Sequence, residues 1–182
     1  GMISLIANLF SSGWLDAGGR LDRSRPCPAI EVQGKQARYV IAPADATANG
    51  RAVAILETDI DNIVRAKAAI FSACRVMLRK IDMGFEDLSR VYIAGGFGRY
   101  LDVDKARQIG LLPGLPADRF HFIGNSSLLG AYMTLVSKKH REREKELAGK
   151  ITYIDLGTEP EYMDEYTAAL FLPHTDIRLF QM

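Results

Sequence analysis

Apolar positions along the chain recur in two rhythms, and the switches between them mark out the elements. Ile3, Leu5, Ile6, Leu9, Phe10 and Trp14 follow helical spacing, which predicts an opening helix ending near residues 13–19. Runs at 29–32 and 37–42 flank Gly34-Lys35 and predict a hairpin, with a further strand at 52–56. Thr58 with Asp61 has the form of a capping box, so a long helix is expected over 59–81. Its buried stripe would be Ile60, Ile63, Val64, Phe71, Cys74, Met77 and Leu78.

Beyond that helix the alternation becomes regular. The pattern predicts a strand at 91–94, a helix over 102–111 opened by Asp102, a strand at 120–123 and a helix over 127–136. A charged stretch at 138–150 then leads to a third strand at 151–155 and a helix over 161–172 that stops before Pro173. Strands separated by helical segments imply an α/β sheet with parallel neighbours covered by helices. Residues 1–56 are expected to pack as a helix and hairpin against an α/β core of residues 57–182.

The stretch Arg90 to Gly98 carries the most chemistry. A short apolar strand ends in Gly95, Gly96 and Gly98, where the missing Cβ lets a ligand or a neighbouring helix approach the main chain. The helix that follows brings an N-terminus, whose partial positive charge suits a nucleotide. Gly124-Asn125-Ser126-Ser127 repeats the arrangement after the next strand. Asn125 and the adjacent amides are placed either to reach a ligand or to cap the helix.

Composition narrows the class. With 182 residues, 48% hydrophobic, and a formal net charge of +1, the chain has neither the bias of a disordered segment nor the basic coat of a nucleic-acid binder. Lys138 to Lys145 mixes both signs and reads as a solvated helix face. No apolar run is long enough to span a membrane, and no secretion signal is evident. Cys27 and Cys74 form no metal or disulfide motif, so a reducing cytoplasm is expected. His121, His140 and His174 are too dispersed to define a metal site.

The order of motifs supports a resemblance. The long helix, the strand at 91–94, the turn Gly95-Gly96-Phe97-Gly98-Arg99 and the Gly130-Ala131 helix resemble the second half of an ATPase of the actin, heat-shock chaperone and sugar-kinase superfamily. More narrowly, Arg65-Ala66-Lys67-Ala68-Ala69-Ile70, Ile93 to Gly98, Gly110-Leu111-Leu112-Pro113, Phe122-Ile123-Gly124-Asn125 and Ala168 to Asp176 resemble the C-terminal region of the reductive activators of corrinoid proteins.

The resemblance implies a ribonuclease-H-like (actin-like ATPase) subdomain with a mixed sheet and helices on both faces. It also implies that the chain is the C-terminal part of a longer ATP-dependent redox activator. Such activators restore an inactivated corrinoid, carried by a methyltransferase-system protein, from the cob(II) to the cob(I) state. The corrinoid protein would be the partner, together with an N-terminal ATPase half and an iron-sulfur ferredoxin domain of the same polypeptide; a homodimer is compatible with this. Mg2+ would be held mainly by the other half. The cluster would lie outside this chain, since two cysteines do not supply the usual four.

Adenosine would meet Gly95, Gly96, Phe97 and Gly98, with Arg99 beside the base, and Gly124 and Asn125 would reach the ligand from the end of the next strand. Arg65 and Lys67 would face phosphate or the partner half, or would be surface charge on an amphipathic helix. Two other classes stay open: a non-catalytic docking or dimerisation module, and an acyl-CoA dehydratase activator or small-molecule kinase half. A Rossmann site fits poorly, because the turn lacks Gly-x-Gly-x-x-Gly and Asp118 precedes its strand. Asp155-Leu156-Gly157-Thr158 is read as a turn instead of a phosphate hairpin, since helical spacing follows it.

Overall fold

The computed structural model describes residues 1–96 and 98–180, and Arg99 by its main chain alone. Helix α1, Met2–Ser11, opens the chain. Strands β1, Ile30–Gln33, and β2, Gln36–Ala42, form the expected hairpin, and β3, Val53–Leu56, pairs antiparallel with β2. The long helix α2 covers Glu57–Arg79. Next come β4, Val91–Ala94, the short α3, Val103–Gln108, and β5, Phe120–Gly124. Helices α4, Ser126–Val136, α5, Lys138–Ala148, and α6, Pro160–Ala169, complete the order.

Both strand senses are present, divided between two small sheets: β1-β2-β3 is antiparallel and β4-β5 is parallel. The anticipated strand at 151–155 does not form. A strand needs a ladder partner, and among the described residues no sheet takes in this segment, whose Ile151 and Tyr153 stand exposed. Asp155 instead accepts the Gly157 amide at 2.9 Å and opens a single 3-10 turn, as its turn chemistry suggested.

Helix α2 organises the packing. It begins at Glu57, and the carboxylate that reaches back to the Leu56 amide is Asp59, at 3.0 Å, where the sequence had pointed to Thr58 and Asp61. Asp61 pairs instead with Arg65 one turn on. One core joins Ile6, Leu9, Leu15 and Leu21 to Ile55, Ile60, Val64, Ile109 and Leu172. A second surrounds Phe71, whose ring lies 5.1 Å from Phe85 and 5.4 Å from Phe180. Glu57, itself buried, ties the 13–24 loop to α2 by accepting the Leu21 amide at 2.9 Å and pairing with Arg23 at 2.6 Å. No helix among the described residues is long and apolar enough to cross a membrane.

Candidate functional site

The C-terminal ends of β4 and β5 meet. Gly95 donates its N–H to the Gly124 carbonyl at 2.7 Å, and both glycines hold positive φ, +98° and +65°. In open parallel sheets, ligands gather at this end of the strands. A Cβ built on Gly95, Gly96 or Gly124 would meet nothing within 4 Å among the described residues, which leave the space above all three open. Gly98 behaves differently. Its Cβ would stand 2.9 Å from the Ile93 side chain, which makes it a packing glycine.

Helix α4 starts directly beside these glycines. Asn125 caps it, its Oδ1 accepting the Leu128 amide at 3.0 Å, and the amides of the first turn face the same end of the sheet. Glycine ends, a helix N-terminus and an open floor suit a flat, polar ligand that carries negative charge. Phe97 and the Arg99 side chain fall outside the described residues.

Arg65 and Lys67 are placed elsewhere. Arg65 projects from α2 in its exposed pair with Asp61 at 2.8 Å. Lys67 is neither surface charge nor a cleft residue: it is 1% exposed, and its Nζ donates to the carbonyls of Phe171 at 2.5 Å and Pro173 at 2.6 Å. Burial pushes its ammonium down to about 7. The stretch that receives it is also where Gly110 is pressed close, since a Cβ on Gly110 would lie 2.1 Å from the Pro173 carbonyl oxygen. Three of the five motif segments therefore converge on a structural knot, while the glycine turn and Gly124-Asn125 converge on the candidate site.

A polar network missed at the level of sequence adjoins that knot. His174 Nδ1 accepts the Asp176 amide at 2.9 Å, which leaves Nε2 to donate to Glu165 at 3.2 Å. Arg75 reaches the same carboxylate at 2.5 Å. Burial acts to raise the Glu165 carboxyl, but the His174 and Arg75 donors outweigh it and hold it below the ordinary range. Nothing in the spacing of Arg75, Glu165 and His174 announced the contact, because it depends on how α6 crosses α2.

An apolar groove of about 300 Å³ runs between α2 and Leu111 to Pro113, lined by Ile70, Met77 and Ile81 among others. Its lining side chains are apolar apart from the Cys74 thiol, which makes it a poor match for a nucleotide.

Comparisons with known proteins bear on the family and the fold. A solved structure described as a reductive activator for a corrinoid, iron-sulfur protein superposes with a TM-score of 0.90 at 43% identity, covering 99% of this chain and 29% of that one. The corrinoid activation enzyme RamQ of Eubacterium limosum is 29% identical over 91% of this chain. A [Co(II) methylated amine-specific corrinoid protein] reductase of Methanosarcina barkeri is 29% identical over 66% of it. The chain spans 29% and 23% of the length of these two relatives. The family described as the C-terminal domain of RACo, the ASKHA domain, matches residues 1–182, and the chain belongs to that family.

Proposed function

We propose that this chain is the adenosine-side part of an ATP-dependent activator that returns a corrinoid protein from the cob(II) to the cob(I) state. The observation that carries the reading is the joined pair of strand ends at Gly95 and Gly124, with open space over Gly95, Gly96 and Gly124 beside the N-terminus of α4. A side chain at those glycines would fill the floor on which a base and ribose would lie. Relatives named as corrinoid activators support the same destination.

The chain's own part is to bind and orient. Gly95, Gly96 and the adjacent Gly124 would offer main-chain surface to the nucleoside, Asn125 would stand beside it at the start of α4, and Arg99 would bring a guanidinium to the base. When bound, ATP supplies interaction energy that differs between open and closed arrangements, which is what a conformational change requires. Mg2+ would arrive with the nucleotide phosphates and be held mainly by the other half of the fold. Cys27 and Cys74 are free thiols, fewer than the four an iron-sulfur cluster takes, and the electron for cobalt would come from a cluster carried elsewhere. A reducing cytoplasm fits these thiols.

The test is a calorimetric titration with Mg-ATP of the chain and of its Gly96→Val variant, repeated in the full-length activator. Gly96 has no positive φ and, among the described residues, a Cβ there meets no neighbour within 4 Å, so valine is expected to leave the fold alone and report on the ligand. Binding lost in the variant supports the reading; equal binding by both sinks it.

A further inference from the structure

We propose that helix α4, together with the uncovered face and open edges of the β4-β5 pair, is the seat of the rest of the ATPase fold, the polypeptide that the longer relatives carry outside the matched part. The proposal rests on reading the chain as part of an activator and names the surface by which that part is joined.

Helix α4 contradicts its surroundings. From Ser126 to Val136 it contains no charged residue, and a helix that is apolar all round belongs in a protein interior. None of its residues is buried. Leu128 is 67% exposed, Tyr132 61% and Leu135 76%. Its neighbour α5 is equally exposed but carries the charges of Lys138 to Glu146, so exposure suits α5 and not α4. The two touch where Arg141 donates to the carbonyls of Thr134 and Leu135, which leaves the apolar surface free.

The sheet beside it is unfinished in the same way. Parallel strands are found buried on both faces, and a lone pair of strands is not stable by itself. Among the described residues β4 and β5 pair only with each other. Phe120 faces inward, whereas Tyr92 on the other face is 57% exposed, and Phe122 and Ile123 lead exposed into α4. Open edges call for further strands, and the β1-β2-β3 sheet does not provide them. The similar activators supply a candidate by length alone, since this chain covers 29% of the solved one and 29% of RamQ.

Gly130 indicates how close the occupant comes. Glycine inside a helix is unfavourable relative to alanine, and a Cβ there would meet nothing within 4 Å, so no described residue uses the space. With Ala131 next to it, the helix presents a low point at which another backbone can lie against it.

Hydroxyl-radical footprinting of the full-length activator carrying this chain, without nucleotide, reads the interface directly. Tyr132 and Leu135 are expected to be labelled several-fold more slowly than Tyr153 and Leu147, which are exposed in the same chain. Labelling in line with those references overturns the proposal. So does shielding that disappears on dilution, which would assign the face to a second copy. Gly130→Leu gives an independent sign. It lowers the melting temperature of the full-length protein if the surface is covered, and raises it through helix propensity if α4 stands in water, which also overturns the proposal. Because nucleotide is absent throughout, failure of ATP binding leaves these readouts unchanged.

Discussion

The amide of Gly95 donates to the carbonyl of Gly124 at 2.7 Å, so the residue that follows β4 is fastened to the last residue of β5 where each strand turns away. Both turns need positive φ, and Gly124 sits at +65°. An alanine there keeps enough room but holds a conformation that L residues disfavour by about 1 kcal/mol. Gly124→Ala is therefore expected to lower unfolding free energy in denaturant by about that amount and to weaken nucleotide binding by moving the strand ends.

Gly98 should respond in the opposite balance to Gly96. With its Cβ site 2.9 Å from the Ile93 side chain, Gly98→Val overpacks the strand and costs about 1 to 3 kcal/mol of stability. Gly96→Val should shift stability by less than about 0.5 kcal/mol while reducing nucleotide affinity at least about tenfold, or 1.4 kcal/mol. Thermal melts and calorimetry on the two variants separate them; equal melts would dissolve the distinction between packing and ligand glycines.

Much of this was legible in the sequence, for reasons that can be named. The hairpin, α2, the parallel strands and the Asp102 cap follow local rules of spacing and turn chemistry, and Asp102 does accept the Lys105 amide at 3.1 Å. Lys67 was not legible, because a lysine on a helix is ordinarily solvated and only the crossing of α2 by the 171–173 segment encloses it. The segment at 151–155 has strand-like residues but pairs with no described strand. The candidate site lay between these cases: the glycines were visible, but their division into open and packed positions required the neighbours of each.

Lys67 gives the protein an alkaline signature. Folded, its ammonium titrates at about 7; unfolded, it returns to 10.5. Between those values the unfolded chain holds more protons, so the Lys67 contribution to stability rises with pH across that window, by at most about 1.4 kcal/mol per pH unit. Denaturant unfolding of the original chain and of Lys67→Met from pH 7 to 10 should show curves that diverge upward for the original. Parallel curves would mean that Lys67 keeps its ordinary titration.

Glu165 should act at the acid end. Its folded carboxyl is held below the unfolded 4.5, so its contribution is complete above that value and is lost as pH falls through the depressed one. Glu165→Gln, which weakens the charge-assisted bonds from Arg75 and His174, is expected to cost about 2 kcal/mol at pH 7. The same variant should flatten the fall in stability below pH 4.5. Acid melts of the pair check both statements.

At the start of α3, Asp102→Ala removes the acceptor for the Lys105 amide and should cost about 1 kcal/mol. Loss appears as a lower midpoint in urea at unchanged slope. A changed slope would indicate that more than a cap was removed.

Lys67 and its two acceptors are separated by 104 and 106 residues of chain. During synthesis, α2 therefore leaves the ribosome with a lysine meant for the interior long before Phe171 and Pro173 exist to receive it. The two hydrogen bonds therefore exist only in a chain that includes residue 173, and they join an early helix to a late segment across most of the sequence.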